Sequence, residues 1–245
     1  MGADQNYDWK QAAASALDWW QDAGVDTTID ELPRNWLAPP APPVATPGTV
    51  KVVAPPTVLP DTLAEFAAWR AGADAPEATW HGKGIVAQGD SASDLLILID
   101  MPEREDAESG QLLSGAAGRL FDRMLAAIGR TRETIYLVAV CTTRPAAGRV
   151  APEMEARLHE LAQHHVALTG AKRVLLMGNA PSRALLGADA MRSRGSLHPL
   201  NLKAGTVSVD IEAVASFHPR FLLEKPAAKA EAWKDLQILI EGLES

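Results

Sequence analysis

The segment that most constrains this chain of 245 residues is a continuous apolar run, Leu95 to Ile99, which ends at Asp100. A strand that is apolar at every position has no face for water, so it belongs in a parallel sheet covered on both sides. Further strand patterns lie at 134–140, 173–177 and 206–215, and helical patterns separate them. This alternation predicts an α/β fold, a three-layer α/β/α sandwich with a mostly parallel central sheet.

The helical patterns are defined by apolar spacing and by the residues at their ends. Gly129 is placed to stop one helix, and Pro152 stands in the first turn of another, where proline is tolerated. The predicted helices cover 62–69, 118–128, 152–168 and 227–239, and one more begins at Pro181.

Polar or small residues follow each predicted strand. They are Asp100, the segment 139–143, Gly178 with Asn179, and the segment 216–219. Ligands of such folds bind at the carboxyl ends of the strands. We therefore expect these residues to meet at one edge of the sheet and to form the functional site.

The N-terminal part of the chain has a different character. Residues 8–23 form an amphipathic helical pattern with Trp19 and Trp20, and eight of the 17 prolines lie in a proline-rich linker at 38–60. We expect an N-terminal helical segment at 1–37, that linker, and a main domain at 61–245. Two roles are open for the helix: it docks onto its own domain, or it and the linker bind a protein partner.

Composition narrows the possible functions. The net charge of −8 comes almost wholly from residues 1–82, which carry a net charge of −7. Residues 83–245 are therefore nearly neutral and can present a local basic face. The single cysteine, Cys141, cannot supply a disulfide or a four-cysteine metal site. No signal peptide and no membrane-spanning apolar stretch is evident, so we expect a cytoplasmic protein without a membrane role.

Several ordered motifs between residue 61 and the C-terminus resemble those of the iron–sulfur (type 4) uracil-DNA glycosylases of bacteria and archaea. The segment 100–118 resembles the family's GEAPG-x-x-ED-x-x-G-x-PFVG-x-x-G, and 135–149 resembles VYITN-x-x-x-x-RPP-x-x-R. The segment 175–178 resembles VLLG, 217–223 resembles FHP-x-YLL, and 229–236 resembles K-x-x-x-W-x-DL. The resemblance implies a uracil-DNA glycosylase-like fold and excision of uracil or a related base from DNA.

The resemblance also assigns roles to particular residues. Asp100 and Asp106 stand where the family has acidic residues that handle water and the cationic sugar, and His218 stands at its catalytic histidine. The base pocket falls on Met101, Pro102, Leu113 and Ala139. The expected DNA contacts are Arg144, Arg149, Gly178, Asn179, Pro219, Arg220 and Phe221, with the loop after Pro219 as a wedge in the duplex.

The chain departs from the family at positions that matter for base recognition. Leu113 replaces the phenylalanine that stacks on uracil, and Ala139 replaces the asparagine that reads its edge. The cluster cysteines are absent, so we expect no cofactor and no metal. An alternative function therefore stays open, a catalytically degenerate module that acts through DNA or protein binding.

Chemistries outside the glycosylase resemblance have weaker support in the sequence. A nucleophile made of Cys141 with a histidine is one, and a zinc site that uses His159, His164 and His165 is another. An open pocket between Asp106 and His218, lined by Leu113 and Ala139, would favour catalysis instead.

Overall fold

A computed structural model describes residues 9–22, 59–82 and 84–243. The chain forms two units, Met1–Pro56 and Thr57–Ser245. In the first unit, helix α1 spans Trp9–Asp22, within the helical pattern at 8–23. Most of the linker predicted at 38–60 lies outside the described residues, so the domain boundaries and both roles of the N-terminal helix stay predictions.

The second unit contains a six-stranded sheet. Its strands are β1 Ala87–Gly89, β2 Leu95–Ile99, β3 Tyr136–Ala139, β4 Arg173–Met177, β5 Leu197–Ala204 and β6 Val207–Ser216. The spatial order is β1-β3-β2-β4-β6-β5. The four central strands run parallel, whereas β1 and β5 pair antiparallel at the two edges. The fold is therefore the α/β class with a mostly parallel sheet that the sequence predicts.

Eight helices of the second unit follow or cover these strands within the described residues. They are α2 Leu63–Arg70, α3 Asp106–Ser109, α4 Ala116–Ala127, α5 Pro152–Ala167, α6 Asn179–Leu186, α7 Ala190–Ser193, α8 Pro219–Glu224 and α9 Lys229–Ile240. None of the helices in the described part of the chain is long and apolar enough to cross a membrane. The sequence patterns missed α3 and α7 because a four-residue helix is too short to show apolar periodicity.

Strand β2 divides the hydrophobic core into two layers. Leu96 and Leu98 pack in the layer that contains α5 and α6. Leu95, Ile97 and Ile99 pack in the layer that contains α4 and α9. All five side chains are buried, which is why this segment carries no polar position until Asp100.

A buried ion pair fastens α2 and the loop after it to the end of β3. Arg70 Nη2 lies 2.7 Å from Glu77 Oε1 and donates a hydrogen bond of 2.8 Å to the carbonyl of Val140. Glu77 Oε1 accepts the backbone N–H of Thr142 at 3.1 Å. The pair thus positions the backbone just beyond β3, beside the carboxyl edge of the sheet.

The buried His165 makes stability depend on pH. Its Nε2 lies 3.1 Å from the hydroxyl of Tyr136, and burial lowers the pKa of His165 to about 3. The unfolded chain takes up a proton near pH 6.5, whereas the folded chain does not. The free energy of unfolding should therefore fall as pH drops from 6.5 toward about 3.

Urea unfolding at about pH 7 and about pH 5 checks this expectation. His165→Gln keeps a hydrogen-bonding side chain that does not titrate, so it should lose less stability between the two pH values than the wild type loses. An equal loss in both proteins would show that His165 is not the group responsible.

Candidate functional site

The ends of the parallel strands bring the expected polar segments together. Backbone hydrogen bonds join the N–H of Cys141 to the carbonyl of Asp100 and the N–H of Gly178 to the carbonyl of Ser216, both at 2.9 Å. His218 lies two residues after the end of β6 and immediately before the first residue of α8. Asp100, Gly178 and His218 therefore share one edge of the sheet, as the sequence predicts.

The ring of His218 is held by the start of α8. Its Nδ1 accepts the backbone N–H of Arg220 at 3.2 Å, so the imidazole caps the helix. A nitrogen that accepts a hydrogen bond carries no proton, which in the neutral ring places the proton on Nε2. Nε2 lies 3.7 Å from Asp100 Oδ1 and is buried without a hydrogen-bond partner among the described residues.

Burial keeps this imidazole neutral. Desolvation lowers the pKa of His218 below its ordinary value of 6.5, although the carboxylate of Asp100 acts in the opposite direction. The net shift is downward because the desolvation effect is the larger one. At neutral pH the ring therefore offers an oriented N–H donor rather than an imidazolium.

A pocket of about 470 Å³ opens beside this pair. Asp100, Met101 and His218 line it, together with residues from the start of α6 and from α7 and α8. Its charged lining comprises three acidic and three basic side chains: Asp100, Glu155, Glu224, Arg149, Arg183 and Arg220. The volume suits a small molecule or a single flipped base.

Asp106 is placed differently from the sequence prediction. It is fully buried, and its carboxylate accepts the backbone N–H groups of Glu103, Leu113 and Ser114 at 2.8–2.9 Å and the Ser114 hydroxyl at 2.7 Å. It does not line the pocket of Asp100 and His218. Both oxygens are used to hold the loop from 103 to 114, so the geometry makes Asp106 an anchor of that loop.

Leu113 and Ala139, expected in the base pocket, belong to the core instead. Both pack in the layer of α4 and α9 with Ile99 and Leu137, and neither lines the pocket. Leu113 adopts a left-handed backbone conformation with φ of 54°, which its bonds to Asp106 and Arg132 hold in place. Ala139 ends β3 with its side chain in the layer of α4 and α9, and Leu113 lies in the loop before α4, so neither borders this cavity and their role in a base pocket stays a prediction.

The other two residues of the expected base pocket, Met101 and Pro102, line two different cavities. Met101 lines the pocket, and Pro102 lines a neighbouring one of about 330 Å³. The next residue, Glu103, forms an ion pair with Arg220, with Glu103 Oε1 2.6 Å from Nη2. This ion pair fastens the loop after β2 to α8. Glu103 is engaged in it and does not line the pocket.

The expected DNA contacts separate into two groups. Arg149, Gly178, Asn179, Arg220 and Phe221 all line the pocket.

The other two expected contacts, Pro219 and Arg144, do not line this pocket. Pro219 is buried in the first turn of α8, and Arg144 donates a hydrogen bond to the carbonyl of Pro102. Arg194, also on this part of the chain, pairs with the buried Asp235 and with Glu231.

Among the pocket residues that escaped the sequence reasoning are Glu155, Arg183 and Met191. Glu155 stands in the first turn of α5, Arg183 lies on α6 and Met191 lies on α7. Glu155 was detectable, since the first turn of a helix that follows a parallel strand also faces the carboxyl edge. Met191 was not, because only the packing of α7 brings it to the pocket.

The residues do not fit an iron–sulfur cluster. Such a cluster needs four thiolates, whereas this chain has one cysteine, whose pKa is raised to about 12 mainly by burial. A buried thiol of that kind is also a poor nucleophile, which argues against the Cys–His alternative.

Two of the three histidines considered for zinc are hydrogen-bonded to other groups. His164 bonds to the carbonyl of Pro60, and His165 bonds to Tyr136. In the described part of the chain, no group of three or more His, Cys, Asp or Glu side chains could hold a metal ion.

Fold and site together define a class: an α/β protein with an acid–histidine pair at the carboxyl edge of a parallel sheet, beside a pocket of about 470 Å³. The sequence model of the uracil DNA glycosylase superfamily matches residues 86–237, more than half of the chain. The chain belongs to this superfamily, and it is a uracil-DNA glycosylase-like protein of DNA repair at the family level.

Two curated relatives carry the same kind of name. A type-4 uracil-DNA glycosylase of Pyrobaculum aerophilum is 25% identical over 167 residues, which cover 66% of this chain and 85% of the relative. Another, of Archaeoglobus fulgidus, is 22% identical over 156 residues, which cover 61% of this chain and 76% of the relative.

Replacing Asp106 separates an anchoring role from a catalytic one. In Asp106→Asn one accepting oxygen becomes a donor that faces backbone N–H groups, so the free energy of unfolding should fall by about 2–3 kcal/mol. Chemical denaturation measures this loss. A variant with unchanged stability and no activity would instead return Asp106 to the catalytic residues.

Proposed function

We propose that this protein excises uracil or a related base from DNA by hydrolysis of the N-glycosidic bond, without a cofactor. The observation that carries the proposal is the orientation of His218, whose buried Nε2–H has no partner in the described structure and points toward Asp100 at the pocket. A buried donor left unpaired is costly, and such groups occur where a ligand completes the hydrogen bond.

His218 acts on the leaving base. When the bond from the sugar C1′ to the base breaks, its electron pair stays with the base, whose carbonyl oxygen becomes negative. The neutral imidazole donates its Nε2 hydrogen bond to that oxygen and stabilises the charge as it develops. The lowered pKa suits this role because the ring keeps its position and tautomer without holding a positive charge.

Asp100 acts on the sugar and the water. Its Oδ1 accepts the N–H of Met101 at 2.8 Å, which fixes the carboxylate, and its side chain is partly exposed at the pocket. The carboxylate stabilises the cationic sugar and orients a water molecule for attack on C1′. The bond from water oxygen to C1′ forms, and the water proton passes to the carboxylate or to solvent.

Base recognition in this chain uses groups other than those at 113 and 139. Asn179 lines the pocket, and its Oδ1 accepts the N–H of Ala190 at 3.1 Å, which turns its amide N–H₂ away from that bond. The amide is then available to a base carbonyl. Met101 supplies apolar contact to the ring.

DNA reaches the site through the exposed cations of the same edge. Arg149 and Arg192 are exposed and form no ion pair with any described residue. They suit backbone phosphates, which bind basic side chains without reading sequence. A cytoplasmic location and a protein partner for the N-terminal helix with its proline-rich linker are further parts of the proposal.

Base release from a labelled uracil-containing oligonucleotide, in single-stranded and duplex form, tests the activity. His218→Ala should lower the rate constant by about 100-fold, the usual loss when one donor to a developing anion is removed. Asp100→Asn should lower it by at least about tenfold. Trp233→Ala, an exposed residue outside the pocket, serves as the control for folding and handling.

The pH dependence of kcat/KM tests the state of His218. The neutral ring is the active form and its pKa is lowered, so activity should hold below pH 6.5 and decline only at more acidic values. In His218→Gln, the remaining activity should lack that acidic decline. An acid limb centred above pH 6.5 in the wild type would contradict a desolvated neutral imidazole.

A second function rests on one observation, the absence of Leu113 and Ala139 from the pocket. Without an aromatic ring or an amide at those positions, the domain could bind DNA or protein without chemistry. No base release from any substrate, together with retained duplex binding, would favour this binding module.

A further inference from the structure

Exposed apolar side chains are few on the second unit, and one of them borders the site. The large apolar side chains exposed in its described residues are Met191 at 65%, Leu223 at 41% and Trp233 at 41%. Met191 alone among these three lines the pocket that holds Asp100 and His218. The most exposed one therefore stands where a base would enter.

The backbone under Met191 is held on both sides. Before it, the N–H of Ala190 donates to Asn179 Oδ1 at 3.1 Å, and Ala190 is buried. After it, the guanidinium of Arg194 binds the buried Asp235 and lies 4.6 Å from the centre of the Phe217 ring. Residue 191 thus extends from a fixed support, and its exposure does not come from a loose loop.

The loop expected to enter the duplex is largely committed to packing. Phe221 stacks on Phe217 with ring centres 4.9 Å apart, and Leu222 is 1% exposed in the same cluster. In this segment Leu223 alone keeps an exposed apolar side chain, and it does not line the pocket. Leu223 is thus the one apolar candidate of this loop, and it stands away from the pocket.

We propose that Met191 is the side chain that enters duplex DNA and fills the gap left by the flipped base. This inference rests on the proposed function. Its surroundings match a duplex: the neighbouring Arg192 and the pocket residue Arg149 are exposed and unpaired within the described chain, as phosphate contacts require. The unbranched thioether side chain adapts to an irregular space between bases, and apolar wedges stabilise an unstacked step.

A comparison of duplex with single-stranded substrate isolates the role of the wedge. A single strand has no base-paired stack in which a flipped base leaves a gap. Met191→Ala should lower base release from a duplex by about tenfold or more, and release from a single strand by less than about twofold. Met191→Leu should restore most of the duplex rate. Trp233→Ala, equally apolar and away from the pocket, should leave both rates unchanged.

A binding experiment gives a readout that does not need catalysis. A duplex with 2-aminopurine beside a cleavage-resistant 2′-fluoro-deoxyuridine should brighten when the wild type binds, because the neighbouring base loses its stacking. Met191→Ala should bind the duplex with a much smaller rise in fluorescence.

The outcomes separate the two proposals. Two outcomes overturn the wedge and leave the glycosylase activity intact, provided that the wild type releases the base. In the first, Met191→Ala slows release from duplex and from single strand equally. In the second, only Leu223→Ala slows release from duplex selectively. If the wild type releases no base, the proposed chemistry fails, and the fluorescence experiment alone tests the wedge. A rise in fluorescence with the wild type that is lost in Met191→Ala supports the wedge. No rise with the wild type overturns it.

Discussion

The complete burial of the central parallel strands is the constraint on which the rest of the structure depends. Because β2 has apolar side chains in both layers, it can present polar groups only where it ends, at Asp100. The neighbouring strands obey the same rule, so Gly178 and His218 appear at the same edge. A site at the carboxyl ends of the strands thus follows from how the core is buried.

The edge becomes a site because short polar contacts fix the loops that leave it. Asp106 gathers three backbone N–H groups of the loop after β2, and the Glu103–Arg220 pair joins that loop to α8. The backbone N–H of Arg220 in turn sets the tautomer of His218. Asp106 does not line the pocket, yet it supports the geometry of residues that do. Functional side chains commonly depend on such supporting hydrogen bonds.

Relatives of the chain are named type-4 uracil-DNA glycosylases, and the chain has the α/β fold of the superfamily to which it belongs. The Arg70–Glu77 pair fastens α2 and its loop to the end of β3 in a chain with a single, buried cysteine. Base recognition shifts toward Asn179 and Met101 in our proposal. Such a shift alters selectivity more readily than fold, because both residues lie just beyond the ends of strands of a rigid sheet.

The sequence by itself determined the α/β class, the central strands and the convergence of Asp100, Gly178 and His218, because apolar runs and helical spacing are local patterns. Only the tertiary structure decided which side chains face the pocket. It placed Leu113 in the core and brought Met191 to the rim, and it committed both oxygens of Asp106 to the loop. These outcomes depend on the layer a side chain enters and on partners distant in the chain, which no local pattern specifies.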